Sequence, residues 1–146
     1  MFSFEKMIAW QKAIEWVDEI FEVADHLPQK QQFSFGEQLR RACLSVPNNL
    51  AEGSGRRTPR GQRYFYDIAH GSTYEVVNIL AILKRRGQVG PEEFTKFYKR
   101  GDELASIIYG LEEAAFEAEA KQSDSPRALR ESRPEYGVVD EPEPPL

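Results

Sequence analysis

Apolar residues along the first 120 positions recur three and four apart, the spacing of one face of an α-helix, and strand-like alternation is missing. From about Phe4 to His26, Trp10, Ala13, Ile14, Val17, Ile20, Phe21 and Ala24 fall in a narrow arc, and Leu27-Pro28 closes the segment. From about Gly36 to Ala51, Leu39, Ala42, Cys43, Val46 and Leu50 form a second stripe. It runs into Glu52-Gly53-Ser54-Gly55, where the two glycines read as C-terminal breakers. A third helix is predicted from Thr58-Pro59, a cap followed by proline at the first helical position, to about Arg86-Gly87. The fourth starts at Gly90-Pro91-Glu92-Glu93, with acids where the helix dipole favours them. It carries Phe94, Phe97, Gly101, Leu104, Ile107, Ile108, Leu111, Ala115 and Ala118 on one face. Four striped helices with short connectors predict an all-α fold, an antiparallel up-and-down four-helix bundle spanning residues 1–120.

After about Ala120 the composition changes. Residues 121–146, KQSDSPRALRESRPEYGVVDEPEPPL, hold five prolines and mixed charge without apolar periodicity, the composition of a disordered, proline-rich acidic tail. Pro47 sits inside the second helical pattern, where it lacks an N–H and its ring meets the carbonyl of Cys43. A kink that shapes the helix around the bundle is expected there, in preference to a functional hinge.

Helix three has two faces that do not read as water-facing. One holds Tyr64, Phe65, Ile68, Ser72, Val76, Ile79, Ile82 and Leu83, with Glu75 at its centre. A carboxylate so placed needs a partner, and Arg40 and Asn49 are the candidates for a structural pair. The other face carries Tyr66, His70, Thr73, Tyr74, Val77 and Ala81, a composition that suits an oligomer interface, with Tyr66, His70, Tyr74 and Val77 its candidate residues. On helix two, Arg41, Ser45, Asn48 and Glu52 line up as a polar ridge opposite the apolar stripe. That ridge is either a solvated face, with Glu37 and Arg41 paired, or a hydrogen-bonding surface.

Charge adds one local feature. The chain has 19 Lys and Arg against 24 Asp and Glu, a formal net charge of -5, which argues against broad nonspecific binding to nucleic acid. Yet Arg40 to Arg63 contains six arginines and one acid. Arg56, Arg57, Arg60 and Arg63, clustered around the start of helix three, are the candidate nucleic-acid-binding edge, since helix N-termini and glycines favour an approaching phosphate. The alternative is that they pair with the protein's own acids.

No P-loop, dinucleotide-binding glycine pattern, zinc spacing or Ser/His/Asp grouping occurs, so neither catalysis, a metal nor a cofactor is expected. His26 and His70 are the only histidines, and Cys43, the lone cysteine, reads as a small buried hydrophobe in a reducing, cytoplasmic setting. No apolar run is long enough for a membrane span.

Three separated motifs carry a family resemblance. QLRRACLSVPNNLAEGSGR from Gln38 to Arg56, IAHGSTYE from Ile68 to Glu75, and MIAWQKAIEWVDEIF with Trp10, Lys12 and Ala13 closely resemble the pattern of the bacterial proteins named for open reading frames in intervening sequences of 23S rRNA. On that pattern Arg40, Arg41, Asn48, Asn49, Glu52, Gly53 and Glu75 are signature positions, read here as architectural. The resemblance implies an up-and-down bundle that assembles as a ring-like homopentamer without catalytic chemistry. It also implies a related branch, the accessory proteins of diversity-generating retroelements, in which a basic pentamer binds nucleic acid and a reverse transcriptase. The expected partners are therefore other copies of the chain, with RNA or the ribosome, or alternatively a protein such as a reverse transcriptase. Two departures stand out: this chain is acidic, and its tail has no counterpart in the shared pattern.

Overall fold

The computed structural model describes residues 1–124. Among them the chain forms four long helices and no strand: α1 (Ile8–Asp25), α2 (Glu37–Ser54), α3 (Pro59–Arg85) and α4 (Pro91–Ser123). Each packs on its chain neighbours, and α1 also meets α4, which closes an antiparallel up-and-down bundle. The expected fold class is the observed one. Most of the tail expected over 121–146 lies outside the described residues, while α4 itself continues three residues past Ala120.

Local chemistry sets the helix ends. Thr58 Oγ1 accepts from the Gly61 N–H at 3.1 Å, capping α3, and Pro59 supplies the missing donor position of the first turn. At its other end Gly87 takes a positive φ of 77°, with Gln88 N–H donating to Leu83 O and Gly87 N–H to Lys84 O, a Schellman closure. Between α1 and α2 the chain makes a short turn, Gln29–Gln31, and a wide π-turn, Gln32–Gly36. Gln32 Nε2 reaches back to Ala24 O at 3.0 Å and Leu27 O at 2.8 Å, satisfying carbonyls that α1 would leave open.

The second breaker prediction holds only in part. Gly55 ends α2, but Gly53 is buried inside it, and a Cβ there would lie 2.6 Å from Cε1 of Tyr66. Gly53 is therefore a slot for a ring from α3 rather than a stop. Likewise α2 runs through Pro47, which is buried. The cost is one hydrogen bond, because proline offers no N–H to the Cys43 carbonyl.

The core is built from Trp16, Ile20, Leu39, Val46, Leu50, Val76, Leu80, Leu83, Leu104 and Ile108. Two faces are rotated from their expected positions. On α1, Ile14 is exposed and Trp16, outside the expected stripe, is fully buried. On α3 the buried stripe is Tyr66, Ala69, Ser72, Thr73, Val76, Ile79, Leu80 and Leu83, turned by roughly 65° on a wheel of 100° per residue. The reason is that α3 has two packing partners, α2 and α4, so its buried arc bisects the expected faces.

Candidate functional site

That rotation relocates the signature residues. Glu75 is exposed rather than central, and neither Arg40 nor Asn49 holds it. Arg40 instead donates to Asp25 Oδ1 at 2.6 Å and Gln32 Oε1 at 3.0 Å, tying the end of α1 to α2. Asn49 Nδ2 turns back along its own helix to Ser45 O at 2.7 Å and Ser45 Oγ at 3.0 Å. Ser45 completes a bridge between helices, its Oγ 2.6 Å from Ser72 Oγ. The expected polar ridge thus divides. Ser45 is turned into the α2–α3 seam, while Arg41, Asn48 and Glu52 face solvent, with Arg41 paired to Glu37 at 3.1 Å.

The four candidate interface residues of α3 also separate. Tyr66 is buried over Gly53 and is no free surface, because the α2–α3 packing takes its ring; burial pushes its hydroxyl pKa up. Val77 is half-buried in the α3–α4 seam, close against Gly101. His70 is half-buried with Nδ1 2.9 Å from Glu112 Oε2, its ring 5.3 Å from Tyr74 and 6.3 Å from Tyr109. Tyr74 stands out at 65% exposure.

Around these residues the outer seam of α3 and α4 forms a groove with two hollows. The first, of about 580 Å³, is bounded by the bases Arg60 and Arg63, the acids Asp67, Glu112 and Glu113, and the rings of Tyr64, Tyr109 and Phe116. The second, of about 330 Å³, lies farther along and is more apolar, with Tyr74, Val77, Ala81, Phe94, Tyr98 and Ala105 in its walls. Tyr64, Tyr74, Tyr98, Tyr109 and Phe116 all expose more than half of their surface here. Tyr98, Tyr109 and Phe116 were missed from the sequence. Their only signal is an aromatic at an exposed position on α4, legible once the seam with α3 is known.

The arginine edge is split in character. Arg56 forms an ion pair with Glu52 one turn back and lies over the Phe65 ring at 4.4 Å. Arg63 sits 3.0 Å from Glu119 Oε2, in a pair not aligned for a hydrogen bond, and 5.3 Å above Phe116. Both are engaged by their own chain. Arg57 and Arg60 are exposed and make no ion pair among the described residues.

No described helix is long and apolar enough to cross a membrane, and no group of three His, Cys, Asp or Glu among the described residues is placed to hold a metal ion. Comparison with the curated proteins returns no match. A family model, that of the 23S rRNA-intervening sequence protein, matches residues 5–110, which cover α1 to α3 and more than half of α4. With the bundle and the three motifs in the same order along the chain, this protein belongs to the 23S rRNA-intervening sequence protein family.

Proposed function

We propose that the chain is a non-catalytic, self-assembling helical scaffold whose copies meet along the α3–α4 groove. The observation that carries this reading is the row of five exposed aromatic rings along one seam of the bundle, beside an apolar hollow. Aromatic side chains left in water are costly, and a partner surface that covers them gains their burial. Five copies is the number implied by the family resemblance, and the lone buried Cys43 fits a reducing cytoplasm in a bacterial cell. A closed assembly would then present its outer edges to a protein partner.

A second reading has its own observation. Arg57 and Arg60, exposed beside the start of α3, form a small basic edge that each copy of a ring would repeat, so weak contacts with RNA or the ribosome would add by multivalency.

Light scattering and sedimentation of the native chain test the first reading. A multiple of the chain mass is expected. Tyr74→Glu combined with Tyr98→Glu should lower that mass while leaving helical circular dichroism intact, since a carboxylate forced into a covered aromatic face has no partner. A native chain that is monomeric at tens of micromolar overturns the scaffold. RNA binding that persists unchanged in Arg57→Ala/Arg60→Ala overturns the basic-edge reading.

A further inference from the structure

The smaller hollow has walls of one character and a single charge. Tyr74, Val77, Phe94, Tyr98 and Ala105 make it apolar, and Asp102 is the one charged residue among the described residues that line it. Asp102 is exposed and makes no ion pair among the described residues; Lys84 lies over the Phe94 ring at 4.8 Å without pairing to it.

A surface of matching character stands elsewhere on the same chain. The single helical turn Ser3–Lys6 and its flanks expose Phe2 at 73% and Ile8 at 62%, with Lys6 between them in the chain. Lys6 is exposed and likewise makes no ion pair among the described residues. Exposed apolar side chains on a loose segment would need no account, but this turn is held in place. Gln11 Nε2 donates to Glu5 O at 2.8 Å, Ser3 Oγ lies 2.8 Å from Ser54 Oγ at the end of α2, and the Phe4 ring packs on Trp10 with centroids 4.9 Å apart. Order imposed on an apolar surface that stays in water is the pre-organisation expected of a binding element.

We propose that this turn of one copy seats in the smaller hollow of the next copy, with Phe2 and Ile8 against the apolar walls and Lys6 at Asp102. The inference rests on the scaffold reading above and names what enters the groove. Position favours a second copy: the turn packs on α1 and α2, whereas the hollow lies in the α3–α4 seam, so one chain does not close the contact on itself. Charge favours it as well. A cation among exposed apolar side chains meets a carboxylate among apolar walls, and the rings beside that carboxylate add their own attraction for an ammonium group. Two different surfaces in contact also make a head-to-tail interface, which repeats from copy to copy and closes into a ring where the rotation permits.

The test is a charge exchange in the full chain, read by sedimentation over a concentration series at low salt. Lys6→Glu and Asp102→Lys each set like charges across the contact and should weaken assembly about tenfold, while the two combined should return it to within about threefold of native. Phe2→Ser with Ile8→Ser should also dissociate the copies. All four positions are exposed in the single chain, so helical circular dichroism should stay intact throughout. A native chain that is monomeric at tens of micromolar overturns the scaffold reading and this contact with it. A native chain that assembles, with the two charge variants and the Phe2/Ile8 variant all matching it, overturns the contact alone and leaves the scaffold standing. Single variants that weaken assembly without recovery in the exchanged chain also overturn it, because the two charges then act independently.

Discussion

The Trp16 indole lies across Gly101: a Cβ on that glycine would sit 2.9 Å from Trp16 Cζ2 and 2.9 Å from Val77 Cγ2. Trp16 cannot yield, because it is fully buried and its Nε1–H donates to the Phe97 carbonyl at 3.2 Å. One glycine thus lets α1, α3 and α4 converge. Gly101→Ala should destabilise the fold by about 1–3 kcal/mol through overpacking, measured by urea denaturation. An unchanged midpoint would mean that the three helices separate at little cost.

Gly53 and Glu75, both signature positions, should behave in opposite ways. Gly53→Ala drives a methyl into the Tyr66 ring and should cost about 1–3 kcal/mol. Glu75→Ala, at an exposed position, should stay within about 0.5 kcal/mol of the parent. If Glu75→Ala leaves stability alone but alters the assembly mass, the signature carboxylate belongs to an interface between copies.

The contrast shows how far the sequence could be read. Helix number, order and caps were legible because they depend on local chemistry: Thr58-Pro59, Gly87 and Gly90-Pro91 act within a turn of themselves. Helix rotation was not, because it depends on which neighbours a helix acquires. An apolar wheel ranks Ile14 above Trp16 only until Gly101 on a distant helix opens a slot for the indole. The same holds for the candidate site. The arginine cluster was visible as a run of charge, but the division between engaged Arg56 and Arg63 and exposed Arg57 and Arg60 required the positions of Phe65, Phe116 and Glu119.

Glu19 should leave a mark on acid unfolding. Lys96 at 2.7 Å and Arg100 at 2.5 Å hold its carboxyl below the ordinary value of 4.5, joining α1 to α4. A lowered folded-state pKa means the contribution is fully present above the unfolded value and is lost as pH falls through the folded one. Glu19→Gln should flatten the stability profile below about pH 4.5, and added salt should shrink the difference because the pair is partly exposed. Parallel profiles for parent and variant would show that the pair does not form in solution.

Cys43 should be chemically silent in the folded chain. Burial pushes its thiol up to about 12, so little thiolate exists at pH 8, and reagent access is blocked as well. Labelling by a thiol-reactive disulfide should proceed at the rate of global opening and accelerate in urea alongside the loss of helix. Rapid labelling under native conditions would reveal a local opening of α2, with Pro47 as the point to examine first.

The far end of α4 carries a mechanical consequence. Ala115 is its last buried residue, and beyond it the helix is held to α3 mainly through Arg63. Each residue that unwinds there lengthens the strand from about 1.5 to about 3.3 Å, so melting one turn extends it by roughly 7 Å. The helix–coil balance of residues 116–123 therefore sets the length of α4, and the grip of Arg63 on Phe116 and Glu119 is what biases that end toward helix.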